Sequence, residues 1–260
     1  MPGLVREVVV MQETMTLTLS YRGKEEYSVP VSWKGPLSDC SVRDMREIAG
    51  VLADPDCFVT GPAYYMYRDI TRSDADRQWL QAQKIRYDIT VIPPRNLSGE
   101  FIKTKGHYHP KNPAGTGYPE IYEVLEGEAH YLLQKRDCSG VVMVTATAGD
   151  VVVVPPGYGH ITINPSKTSV LQMANLVSSV FQSEYQEYEN LRGAIFYEMT
   201  NRTCKKNPLY PQNPALTFTS ADRMTAVKEM IPAPLYTLVE QRAPVLGFLN
   251  HPEDYPHLFS

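Results

Sequence analysis

The chain has 260 residues, 43% hydrophobic and 21% charged, with a formal net charge of -4, which suits a globular chain whose core is large enough to exclude water. That balance gives no broad basic field, so neither nucleic acid nor an anionic membrane is expected as a partner. Four cysteines, Cys40, Cys57, Cys138 and Cys204, stand apart with no CxxC pair, which argues against a zinc ribbon or a disulfide framework and for reduced thiols in the cytoplasm.

In chain order, residues 1–60 read as a lead-in that mixes short β-rich stretches with a helix expected over 42–53, after a Ser41 cap. The N-terminus is too polar for a signal-peptide core, and no apolar run approaches membrane length. From residue 61 to 200 the pattern changes to short runs rich in Val, Ile, Tyr and Thr, punctuated by Pro, Gly and Asn. Strands are expected over 64–68, 85–92, 100–108, 120–125, 130–134, 141–145, 151–154 and 169–175. So many strands in succession predict an all-β domain, an antiparallel barrel or sandwich. Residues 201–260 form a proline-rich, partly helical extension, with a helix expected over 219–230. This extension is expected to wrap the barrel or enter a subunit contact. No internal repeat or low-complexity linker appears.

The chemistry concentrates in two segments. GHYHPKNPAGTGYPEIYEVLEG supplies His107 and His109, two apart and so on one face of a strand, then Glu120 and Gly127. GDVVVVPPGYGHITIN places His160 after a hydrophobic strand and a Pro-Pro-Gly turn, with Asn164 following. Three imidazoles and one carboxylate make a mixed nitrogen and oxygen donor set suited to iron, manganese, nickel or zinc, with positions left over for water or substrate. His130, His251 and His257 lack partners at ligand spacing and read as surface or packing residues.

Gly149, Pro155, Gly157, His160 and Asn164 match the second cupin motif, and His107, His109, Glu120 and Gly127 match the first apart from a longer loop before the glutamate. More narrowly, TKGHYH followed by PEIYEVLEG resembles the cupin-type phosphoglucose isomerases, a likeness covering about residues 60–200. The resemblance implies a cupin double-stranded β-helix (jelly-roll) barrel with residues 1–60 packed on it. It also implies interconversion of glucose 6-phosphate and fructose 6-phosphate, and a homodimer. It implies one divalent metal ion on His107, His109, Glu120 and His160, with Fe2+ the first choice and Mn2+, Ni2+ or Zn2+ as alternatives.

Catalysis falls to Glu120 and His107 in that reading, Glu120 shuttling a proton between carbons; a hydride shift is the competing route. With no P-loop and no arginine cluster in the sequence, phosphate binding is expected from local donors; the resemblance implies phosphate or sugar contacts at Tyr67, Thr90, Thr104, Gly106 and Tyr185, with Tyr122 as a wall beside Glu120 and Lys105 as an added charge. Strand alternation puts Lys105 on the histidine face and Thr104 on the other. Two departures stand out. The loop 110–119 is longer than in compact relatives and is expected to overhang the pocket, and Gln182 and Ser183 stand where the resemblance implies a histidine two residues before Tyr185. A mono-iron cupin oxygenase and a non-catalytic sugar-binding cupin are the rival readings.

Overall fold

A computed structural model describes residues 33–223 and 229–259 in full, together with the backbone of β1 (Val8–Met11), β2 (Thr14–Tyr21) and β3 (Lys24–Val31), which pair in order as one antiparallel sheet. Then come β4 (Cys40–Asp44), helix α1 (Met45–Ile48), β5 (Pro62–Tyr67), helix α2 (Asp74–Gln83), β6 (Ile85–Ile92) and the small hairpin of β7 (Asn96–Leu97) and β8 (Glu100–Phe101). The central strands are β9 (Glu120–Glu126), β10 (Glu128–Lys135), β11 (Val141–Thr147), β12 (Val151–Val154), β13 (Tyr158–Ile163) and β14 (Leu171–Ser178). Helix α3 (Gln186–Asn190), the hairpin of β15 (Phe196–Glu198) and β16 (Cys204–Lys206), and β17 (Leu216–Ser220) follow.

Two sheets carry the barrel: β12-β9-β14-β6-β5-β4 and β13-β10-β11-β17. Between β9 and β14 the chain crosses from one sheet to the other four times, which is the winding of the double-stranded β-helix, so the cupin fold expected from the two motifs is the fold observed. Gly127 makes the first crossing possible. Its φ is +84, and a Cβ there would sit 2.5 Å from the Val170 carbonyl oxygen, a site only glycine fills without strain.

The six-stranded sheet is buried on both faces. On β12, Val152 and Val154 join the core between the sheets, while Val151 and Val153 join a second cluster outside it, which explains an unbroken four-valine run. That outer cluster is closed by the C-terminal segment, where Leu235, Tyr236, Leu238 and Val239 of a short helix (Tyr236–Glu240 with its flank) and Phe248 and Leu249 cover Tyr87, Ile89 and Val91 of β6. Each such buried side chain contributes about 1.5–3 kcal/mol. The extension therefore wraps the barrel, and β17 adds a parallel strand beside β11.

Several expected elements differ. The helix over 42–53 begins only at Met45, because Cys40–Asp44 pairs with β5. Asp44 then caps the helix, accepting from the Arg46 backbone N–H at 3.0 Å while Glu47 accepts from the Asp44 N–H at 2.8 Å. In the stretch 219–230, Thr219 and Ser220 belong to β17 and Ala221–Arg223 is a single 3-10 turn; residues 224–228 lie outside the described residues, and Glu229 and Met230 are helical as expected. The strand expected over 100–108 stops at Phe101 and continues only as isolated bridges, Lys103 to Ile163, His107 to His160 and Tyr108 to Glu184.

Candidate metal centre and substrate cavity

Glu120 opens β9 opposite Val154, and His160 lies on β13, exchanging backbone hydrogen bonds with His107 at 3.3 and 3.1 Å. These pairings bring all four expected ligands together, one donor atom from each within 4.8 Å of every other. The Nε2 atoms of His107 and His109 are 3.1 Å apart, and Glu120 Oε2 lies 3.4 Å from His109 Nε2 and 3.2 Å from His160 Nε2. Metal bonds of about 2.1 Å meeting at 90–110° give ligand separations of about 3.0–3.4 Å, and these three separations fall in that range.

The donors are also prepared chemically. His109 Nδ1 lies 2.9 Å from the Tyr118 carbonyl oxygen; a carbonyl only accepts, so Nδ1 carries the proton and Nε2 presents a lone pair. Glu120 Oε1 accepts from Asn175 Nδ2 at 2.7 Å, whereas Oε2 is buried with no hydrogen-bond donor among the described residues. Burial pushes the Glu120 carboxyl up, but the adjoining His109 and His160 outweigh it and hold the group well below the usual carboxylate range. Burial and the neighbouring imidazoles push His107 well down, and burial lowers His160 despite Glu120. An ionised Glu120 and uncharged His107 and His160 are the protonation states that metal binding requires, and a buried carboxylate oxygen with no hydrogen-bond partner among the described residues fits a cation.

The four side chains line one narrow cavity of about 70 Å³. Thr90, Thr104, Gly106, Tyr122 and Tyr185 line it too. The Tyr122 hydroxyl is 3.0 Å from His160 Nε2, and the Tyr185 ring lies 5.5 Å from that of His107. Ser183 faces the cavity while Gln182 is exposed.

Tyr67 requires correction. It pairs with Ile89, and both belong to the outer cluster; Tyr64 and Met66, on the other face of β5, line the cavity. Lys105 is likewise displaced: its ammonium pairs with Glu189 at 2.5 Å, 5.2 Å from the Tyr185 ring, outside the cavity wall. The predicted alternation between residues 104 and 105 inverts because this stretch is not a regular strand and bends at Gly106, φ +77, where a Cβ would meet Ile161 Cγ1 at 2.5 Å. Thr104 consequently reaches the wall, its hydroxyl accepting from the Thr162 N–H at 3.0 Å. The loop 110–119 does not overhang. Asn112 Nδ2 donates to the Asn250 carbonyl at 3.2 Å and to Glu253 at 2.7 Å, pinning the loop against the C-terminal segment.

Sequence reasoning also missed three arginines. Arg43 on β4, Arg68 just after β5 and Arg86 on β6 converge on the cavity with Asp88. Their numbers are too far apart to read as a cluster, yet Arg86, Asp88 and Thr90 at alternate positions of one strand carry the signal.

A family model described as glucose-6-phosphate isomerase matches residues 42–214. Glucose-6-phosphate isomerase of Thermococcus onnurineus is 29% identical over 147 residues, 54% of this chain and 74% of the relative. The Thermococcus litoralis enzyme of the same name is 35% identical over 129 residues, 48% of this chain and 62% of the relative. Among solved structures, vicilin from Capsicum annuum aligns with a TM-score of 0.34 and 17% identity, covering 48% of this chain and 30% of that one.

Proposed function

Because this chain belongs to the glucose-6-phosphate isomerase family, whose model spans residues 42–214, we propose that it interconverts glucose 6-phosphate and fructose 6-phosphate at the His107, His109, Glu120 and His160 centre. The observation that carries this reading is the gathering of one donor atom from each of three imidazoles and a buried carboxylate within 4.8 Å of one another, inside a cavity that also presents hydroxyls and guanidinium groups. A divalent cation held by the four residues supplies, when bound, the electrophile that polarises the sugar oxygens at C1 and C2. Ferrous iron is our first assignment for it.

Moving a carbonyl between C1 and C2 also needs a proton taken from one carbon and returned to the other. Glu120 is ionised and enclosed, so its carboxylate is the acceptor, while Asn175 holds Oε1 and thereby sets the plane of the group. The Tyr122 hydroxyl stays protonated, since burial and the Glu120 charge push it well up, and it donates toward a sugar oxygen. His107, neutral at the cavity wall, orients the reacting end of the sugar beside Glu120. Thr90, Thr104, Gly106 and Tyr185 stand along the same wall as contacts for the remainder of the substrate. A homodimer and a cytoplasmic location complete the proposal; the four cysteines being free thiols is in keeping with the latter, and no helix among the described residues is long and apolar enough to cross a membrane.

The test is conversion of fructose 6-phosphate to glucose 6-phosphate, read through a coupled dehydrogenase, on protein stripped with chelator and reloaded separately with iron, manganese, nickel or zinc. Metal-restored turnover is expected, and His160→Ala is expected to lose metal and turnover together. No turnover with any metal, or full activity in a metal-free His160→Ala protein, refutes it.

A further inference from the structure

We propose that Arg43 is the residue that selects phosphorylated substrates, its guanidinium gripping the phosphate of the sugar phosphate from β4. The inference rests on the isomerase reading above and adds to it the group that supplies the positive charge.

Of the three arginines at the cavity wall, two are committed to one carboxylate. Arg86 Nε bonds Asp88 Oδ2 at 2.8 Å and Arg68 Nη1 lies 3.8 Å from the same oxygen. Asp88 is itself fixed, accepting from the Asp69 backbone N–H at 2.9 Å. Arg43 is placed differently. Its ion-pair partner, Glu47, is one helical turn away on the rim, 46% exposed, and is reached through Nη1 at 2.8 Å. Arg43 Nε is buried and has no hydrogen-bond partner among the described residues. A buried cationic N–H without an acceptor is costly, and an anion entering the cavity is the partner that removes the cost.

The surroundings suit a phosphate. Arg43 pairs across the sheet with Tyr64, so both side chains leave the same face and meet at the cavity. The Tyr64 oxygen accepts from the Lys105 backbone N–H at 3.3 Å, which leaves its own O–H to donate. The Tyr185 ring lies 5.9 Å from the guanidinium carbon, and Thr104 and Gly106 border the same wall. Ser183, facing this cavity, adds no charge. Lys105, the cation the sequence offered, is turned to Glu189. A guanidinium fork presents paired donors to phosphate oxygens in a way an ammonium cannot, and Arg43, paired through Nη1 with a rim carboxylate alone, keeps its buried Nε–H unpaired beside the hydroxyls of Tyr64, Tyr185 and Thr104.

The test uses the metal-loaded full chain with Arg43→Gln, Arg43→Lys and Glu47→Gln. Calorimetry with inorganic phosphate and steady-state kinetics with fructose 6-phosphate are the readouts. Arg43→Gln is expected to raise KM for fructose 6-phosphate and weaken inorganic phosphate binding, each by about 10- to 100-fold, with kcat and metal content near wild type. Arg43→Lys, which keeps the charge and loses the fork, is expected to fall between. Glu47→Gln removes the rim pair alone and is expected to leave KM within about twofold. Unchanged KM in Arg43→Gln, a loss in kcat without one in KM, or an equal loss in Glu47→Gln would overturn the assignment. Should Arg43→Gln not fold, Arg43→Lys decides, an unchanged phosphate affinity counting against it. Should the wild type fail to turn over any sugar phosphate, the isomerase reading falls, and phosphate calorimetry still decides for or against Arg43; wild-type protein that binds no phosphate counts against it.

Discussion

Replacing Asn175 by leucine, nearly its isostere, removes one hydrogen bond and little volume. Asn175 is 5% exposed and Glu120 4% exposed, and the Nδ2–H···Oε1 bond between them is 2.7 Å long. A buried hydrogen bond to a charged acceptor is worth about 1.5–3 kcal/mol, or about 10- to 150-fold in an equilibrium constant. The loss falls on the centre because the carboxylate is free to rotate once Oε1 is released, and Oε2 then no longer faces His109 and His160. Supporting residues of this kind typically change metal affinity or activity by about 10- to 100-fold. Competition between the Asn175→Leu protein and a chelating dye is therefore expected to give metal affinity reduced by that factor, with kcat lowered even at saturating metal. Affinity within about threefold of wild type would refute the reasoning that Asn175 orients the ligand.

Two predictions concern the scaffold. Lys103 and Glu100 form a buried ion pair at 2.5 Å, 3% and 1% exposed, and Glu100 Oε2 also accepts from the Ala53 N–H at 2.7 Å. Lys103→Met strands the carboxylate and is expected to cost about 3–5 kcal/mol in urea unfolding, largely recovered by adding Glu100→Gln; a single-variant loss below about 1 kcal/mol would contradict this. His130 lies between Glu198 at 2.8 Å and Glu128 at 3.1 Å. Burial opposes its charge, but the two carboxylates outweigh burial and raise the imidazole above 6.5. A folded value above the unfolded one gives stability that is complete below about pH 6.5 and lost as pH rises through the folded value. The melting-temperature gap between wild type and His130→Gln is expected to narrow from about pH 6 to pH 9, and a constant gap would count against the pairing.

The metal quartet was legible because a cupin compresses it into two segments, where spacing alone places His107 and His109 on one face. Strand 151–154 was legible because both faces of its sheet are apolar, leaving an unbroken valine run, and strand 85–92 because its Ile, Tyr, Thr and Val outnumber the polar residues it turns to the cavity. What failed needed register. Whether Tyr64 or Tyr67 faces the cavity depends on how β5 pairs with β4 and β6, which no local pattern encodes. Three cavity arginines, on β4, just after β5 and on β6, are separated by 18 to 25 positions and become neighbours only through that pairing. The helix Asp74–Gln83 went unseen because its apolar face is short, though Ser73 accepting from the Asp76 N–H at 3.1 Å is a cap that the sequence writes plainly.

Asn250 joins three distant parts of the chain at a single amide. Its Nδ2 donates to the Gln83 carbonyl at 2.8 Å, its Oδ1 accepts from Ser178 Oγ at 2.6 Å, and its backbone oxygen takes the Asn112 amide. Domains on the ribosome fold from the N-terminal side as residues emerge. Every strand of the barrel and all four metal-centre residues leave the tunnel before residue 250 does, so a nascent barrel exists for a time with the 110–119 loop unfastened. That loop carries the Tyr118 carbonyl that sets the His109 tautomer. On that order the Asn112 bonds to Asn250 and Glu253 are expected to be the last of the loop's supports to form, when the end of the chain folds back over the sheet.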